Sequence, residues 1–90
     1  MDRGTEAWNN KGIALGNLGK YEEAVKSFEE ATRIKADFAL AWYNKGIALG
    51  NLGKYEEAII SYDEAISIKP DYARKKAIII TIFCSLSCFF

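Results

Sequence analysis

Ninety residues with 12 basic and 12 acidic side chains carry zero formal net charge, so no global field draws the chain to nucleic acid or to an anionic membrane. There is no histidine, which removes the commonest general base and the commonest neutral metal ligand. Half of the residues are hydrophobic and 27% charged, an ordinary balance for one small globular domain.

Residues 1–4 are expected to be a flexible lead-in. The segment MDRGTEAWNN contains no apolar run, so no secretory signal is expected there and the setting is expected to be cytoplasmic. Thr5 can cap a first helix that runs to about Leu18. Gly19 then offers the left-handed conformation that ends a helix. The spacing predicts a second helix from Tyr21 to Lys35, with Tyr21, Ala24, Val25, Phe28, Ala31, Thr32 and Ile34 on one buried face. Glu22/Lys26 and Glu29/Arg33 on its outer face are acid-first pairs four apart, the favourable order. Asp37 can cap a third helix over about Phe38–Leu52, Gly53 repeats the break, and a fourth helix covers Tyr55–Ile68. Pro70 stops it, and Asp71 can cap the next helix. No strand-like alternation interrupts the first seventy residues.

Two stretches are nearly the same text. AWNNKGIALGNLGKYEEAVKSFEEATRIKAD begins at Ala7 and AWYNKGIALGNLGKYEEAIISYDEAISIKPD at Ala41, an offset of about 34 residues with roughly two thirds of positions identical. Trp8, Gly12, Leu15, Ala24, Phe28 and Ala31 in the first copy answer to Trp42, Gly46, Leu49, Ala58, Tyr62 and Ala65 in the second, which adds Pro70. With the GKY turns at Gly19 and Gly53, this pattern resembles the tetratricopeptide repeat family. The resemblance covers residues 5–72. It implies an all-α helix–turn–helix solenoid of two repeats, 5–38 and 39–72, followed by a C-terminal apolar helix over 73–90. The glycines would sit where paired helices approach most closely, and the aromatics would fill the core. Lys11 and Lys45 replace the usual leucine, their stems lying along the packing surface with the ammonium in water. Ala36 replaces the usual proline, a change that would lengthen or soften the second helix.

The resemblance also implies a non-enzymatic module that binds a protein or peptide in a concave groove lined by the first helix of each repeat. The helical spacing of non-core positions puts Asn9, Asn10, Ile13 and Asn17 there from the first repeat, and Tyr43, Asn44, Ile47 and Asn51 from the second. Glu6, Gly16, Leu40 and Gly50 share that face. Asn10 and Asn44 match the family position whose amide bonds a bound backbone, and an amide can both donate and accept. The family's chaperone-carboxylate clamp is not matched: its positions fall on Asn9, Ile13, Asn44, Arg74 and Ile78, of which only Asn44 and, conservatively, Arg74 fit.

Other chemistry finds no support in the residues. GNLGKY lacks the first glycine of a phosphate loop and has Tyr in place of the magnesium-binding Ser or Thr. Glu22-Glu23 and Glu56-Glu57 suit helix N-termini as a solvated face. Cys84 and Cys88 cannot close a tetrahedral zinc site alone and are too few for a disulfide framework. No metal, cofactor or catalytic residue is therefore expected.

The last segment departs from the repeat. After Arg74-Lys75-Lys76 comes an uncharged apolar run from Ile78 to Phe90. As a helix it would leave Ile78, Ile79, Ile82, Leu86, Phe89 and Phe90 outside any cap it forms, a contact surface. Self-association through these residues is expected, favoured by the zero net charge. A membrane foothold is the weaker reading, because 13 helical residues reach only ~20 Å against ~30 Å of hydrocarbon. A truncated third repeat with no function of its own is the bland one.

Overall fold

Two glycines decide where the chain doubles back. Gly19 and Gly53 hold φ of 78° and 80°, while no non-glycine residue among those described has positive φ. A side chain there would clash with its own carbonyl, so glycine ends the helix at little steric cost. At each turn the same bonds close: Gly19 N–H to the Gly16 carbonyl at 3.0 Å and Lys20 N–H to the Leu15 carbonyl at 2.9 Å, then Gly53 to Gly50 at 3.0 Å and Lys54 to Leu49 at 2.9 Å. This double closure satisfies carbonyls the helix would otherwise leave unpaired.

The computed structural model describes residues 3–72, which form α1 (Arg3–Asn17), α2 (Tyr21–Ile34), α3 (Ala39–Asn51) and α4 (Tyr55–Ile68), with no strand among the described residues. The all-α helical-repeat fold is as expected, and the helix limits fall within one residue of the spacing-based ones, except that α1 begins three residues before the start a Thr5 cap implies. The C-terminal apolar helix expected over 73–90 lies outside the described residues.

The ends are held differently from what side-chain capping suggested. Thr5 does not cap α1, which already runs from Arg3. It stands where the second repeat has Ala39, a small-residue contact, and its buried Oγ1 finds no hydrogen-bond partner among the described residues. Asp37 does not cap α3 either: the cap is Phe38, without a side-chain bond, and the turn closes through Phe38 N–H to the Lys35 carbonyl at 3.1 Å. Nor does Ala36 lengthen α2. That helix stops at Ile34 as α4 stops at the equivalent Ile68, and Lys35 (φ −135°, ψ 96°) and Lys69 (φ −134°, ψ 105°) leave in the same extended conformation. The Trp42 indole donates to the Ala36 carbonyl at 2.9 Å, so tertiary contact supplies the stop that proline supplies in the second repeat.

Each helix packs on the next, and α1 also touches α3. Within a repeat the ring of Phe28 lies on Gly12 and that of Tyr62 on Gly46, so the glycines permit the close approach the sequence implied. Between repeats, Val25 of α2 packs against Phe28 and Ala48 and also against Leu49, Ala58 and Tyr62, joining two small cores into one. Burying a side chain the size of Leu49 contributes about 1.5–3 kcal/mol. An ion pair reinforces this seam. Lys45 Nζ lies 3.3 Å from Glu29 Oε2 with the lysine side chain only 17% exposed, and it also sits 5.2 Å above the Trp42 ring. The expected Glu29/Arg33 pair gives way to this arrangement: Glu29 turns to Lys45, and Arg33 binds Glu30 at 2.6 Å instead.

Candidate functional site

The inner surface of α1 and α3 is built from the same four-residue rhythm that hides their other faces. Gly12, Ile13, Gly16 and Asn17 on α1 and Asn44, Ile47, Ala48 and Asn51 on α3 border a cleft of about 290 Å³, floored by Tyr21 and Phe28 of α2. The two glycines leave room, the isoleucines supply apolar walls and three amides supply polarity. Among the described residues no charged side chain borders this cleft, whereas Glu22, Lys26, Glu29, Lys45, Lys54 and Glu57 all border the cleft on the α2–α4 side.

Five of the eight anticipated groove residues meet here: Ile13, Asn17, Asn44, Ile47 and Asn51. Asn9 is set apart from them. It is buried, 3% exposed, and its Oδ1 accepts from Asn44 Nδ2 at 3.2 Å. That bond joins α1 to α3 and fixes the Asn44 amide, leaving its carbonyl oxygen and second N–H for other partners. Asn9 is thus a positioning residue. Asn51 Nδ2 donates to the Ile47 carbonyl at 3.0 Å, which fixes it along its own helix. Asn10 is exposed and borders no part of the cleft.

Tyr43 belongs to a different cluster. Its ring meets that of Tyr62 with centroids 5.7 Å apart and that of Tyr72 at 5.0 Å, geometries of tilted aromatic pairs. Burial, and behind it the neighbouring Tyr72, raises the Tyr43 phenol above its ordinary pKa. The same burial, with Tyr43 adding to it, raises that of Tyr62 much further. The Tyr62 hydroxyl is buried and finds no hydrogen-bond partner among the described residues. Spacing alone places Tyr43 on the groove face. The rings recruited from α4 and from the turn after it are invisible to that reading, as are Tyr21 and Phe28 on the cleft floor, which it assigns only to the core.

The anticipated self-association residues Ile78, Ile79, Ile82, Leu86, Phe89 and Phe90 lie outside the described residues. Among the described residues no group of three or more His, Cys, Asp or Glu side chains could hold a metal ion, and no helix is long and apolar enough to cross a membrane.

The tetratricopeptide repeat model matches residues 39–72. A second model, described as TPR repeat, matches residues 12–53. No curated protein matches the chain.

Proposed function

Because the chain belongs to the tetratricopeptide repeat family, whose repeats mediate protein–protein interaction and are generally non-enzymatic, we propose that it is a cytoplasmic scaffold module whose α1–α3 cleft binds an extended, uncharged peptide segment. The observation that carries this reading is the polarity of the cleft: among the described residues, amides and isoleucines border it and no formal charge does. An extended backbone has one donor and one acceptor per residue, and an amide answers both. A carboxylate or a polybasic segment would lose hydration there with no opposite charge to compensate. The two repeats, 5–38 and 39–72, act as one binding unit in this reading, with Asn44 and Asn51 toward the backbone and Ile13 and Ile47 toward apolar side chains. Nucleic acid is not a partner, given the zero net charge. Self-association through Ile78–Phe90 is the second reading, carried by the uncharged apolar run alone.

The test is selection of peptides from a random library on the immobilised full chain, followed by fluorescence anisotropy with a selected peptide. Enrichment of neutral sequences carrying apolar residues is expected. Asn44→Ala should weaken binding roughly five- to ten-fold, the worth of one net hydrogen bond, with helicity unchanged. Asn10→Ala should leave binding as it is. Wild-type affinity in Asn44→Ala, or selection of acidic termini, would sink the reading.

A further inference from the structure

The α1–α3 cleft and the segment that follows α4 share one chemistry. Ile13, Ile47 and Phe28 give the cleft apolar surface, and among the described residues no charged side chain borders it. From Ala77 to Phe90 the sequence holds no charged residue, its longest stretch of that kind. A segment without charge enters such a cleft without leaving an ion desolvated and unpaired. The described chain also stops beside the cleft. Tyr72 lies against Tyr43 of α3, ring centroids 5.0 Å apart. Ile47, about one turn further along α3, packs with Tyr43 on the Leu49–Tyr62 cluster and at the same time borders the cleft. Tyr43 and Ile47 thus carry one apolar surface from Tyr72 to the cleft. Asn44, next to Tyr43, stands at that end, and its bond to Asn9 uses only one of its two amide N–H groups.

Reach and residue type agree with this placement. Along α3, Asn44 to Asn51 spans about 10 Å at the helical rise, and residues 73–83 fully extended reach up to ~36 Å. The run Ile78–Phe83 is therefore long enough to follow the cleft from end to end. Ile78, Ile79, Ile80, Thr81 and Ile82 are all branched at Cβ, a type that suits extended backbone better than helix. We propose that residues 77–90 lie extended in the α1–α3 cleft of their own chain, so that the module carries its own occupant and an outside peptide binds only by displacing it. This rests on the reading of the cleft as a peptide site. Attachment holds the segment at a local concentration of about the millimolar range. A second copy of the segment lacks that advantage, which is why the chain's own segment is the occupant. An outside peptide meets only the fraction of chains from which the segment has withdrawn, and its apparent affinity is reduced by that fraction.

Cys84 and Cys88 are the only cysteines of the chain, and both fall in the segment, which gives a direct test. In the full chain carrying Cys88→Ser, a thiol is introduced by Asn51→Cys at the far end of the cleft, or by Lys26→Cys on the α2–α4 side; both positions are exposed. The chains are oxidised with diamide at micromolar concentration and the products mapped by mass spectrometry. A disulfide between the introduced thiol and Cys84 of the same chain should form roughly ten-fold or more faster in Asn51→Cys than in Lys26→Cys. Adding Ile79→Asp and Ile80→Asp, one charge on each face of an extended segment, should remove that difference. Equal rates at the two sites would overturn the proposal, as would a product joining two chains, which would place a second copy in the cleft. The Ile79→Asp/Ile80→Asp chain should also bind a library-selected neutral peptide roughly ten-fold or more tighter than wild type. Equal affinities would overturn the inference and leave the cleft a peptide site. A fast Asn51→Cys disulfide in a chain that binds no outside peptide would instead uphold the inference and remove the wider reading.

Discussion

Replacing Gly46 by alanine puts a single methyl group at the tightest point of the second repeat. The new carbon would lie 2.5, 2.7 and 2.9 Å from three atoms of the Tyr62 ring, against an ordinary carbon–carbon separation of about 3.5–4.0 Å. Relief requires the ring to move by ~1 Å or the helices to part. Tyr62 is 1% exposed, so it has no solvent to move into. Overpacking of this kind costs about 1–3 kcal/mol, and the intrinsic helix preference of alanine returns at most about 1 kcal/mol. The net expectation is a loss of about 1–2 kcal/mol, or roughly 5–10 °C in Tm for a chain of this size. Gly16→Ala is the paired control. It is also helical, but no described residue lies within 4 Å of its added carbon, so the same substitution should stabilise by ~0.5 kcal/mol. Thermal and urea unfolding followed by circular dichroism would read both. Equal shifts for the two variants, or a Gly46→Ala chain as stable as wild type, would refute the packing argument.

Tyr62→Phe removes a buried hydroxyl without a partner among the described residues and places there the residue found at Phe28, so it should be neutral or stabilise by about 1 kcal/mol. Because burial raises the Tyr62 pKa in the folded chain, wild-type stability from this group is fully present below an unfolded tyrosine pKa of about 10. It should then fall as pH rises above that value, by up to ~1.4 kcal/mol per pH unit. Urea midpoints between pH 8 and pH 11 should show that decline in wild type and a shallower one in Tyr62→Phe; parallel profiles would count against it. Lys45→Ala should cost about 1–2 kcal/mol through the lost stem packing, the Trp42 contact and the Glu29 pair, whereas Lys11→Ala, on the exposed counterpart, should stay within about 0.5 kcal/mol. Chemical denaturation of the two variants side by side separates a structural lysine from a surface one.

Residues 5–72 announced the fold because the information there is local. The three- and four-residue spacing of apolar side chains, the glycines at 19 and 53 and the repeat itself all act over one helix turn or one helix pair, and the limits of α1 to α4, apart from the start of α1, followed from them. Side-chain capping fails at Thr5 and Asp37 for a related reason. A polar side chain before a helix is a local hint, and packing of the helix ends outweighs it at both positions. What spacing conveys about the cleft has the same origin. Helical spacing puts Ile13, Asn17, Asn44, Ile47 and Asn51 on one face, and they share a cleft. It cannot tell that Asn9 is buried as the partner of Asn44, or that Tyr43 is drawn into a cluster with Tyr62 and Tyr72.

Taken alone, then, the sequence determined the helices, their turns and the glycine–aromatic contacts within each repeat, since each depends on residues a short distance apart. Only the tertiary structure decided which of two identical faces is covered. Leu15 and Leu49, Lys11 and Lys45, Trp8 and Trp42 are the same residues in the same local sequence. They differ because Val25, Glu29 and Ala36 of the first repeat lie against the second set, while the first set meets only the helix of its own repeat among the described residues. Burial, ion pairing and the anchoring of an indole are properties of a neighbour's position, and no local spacing encodes that.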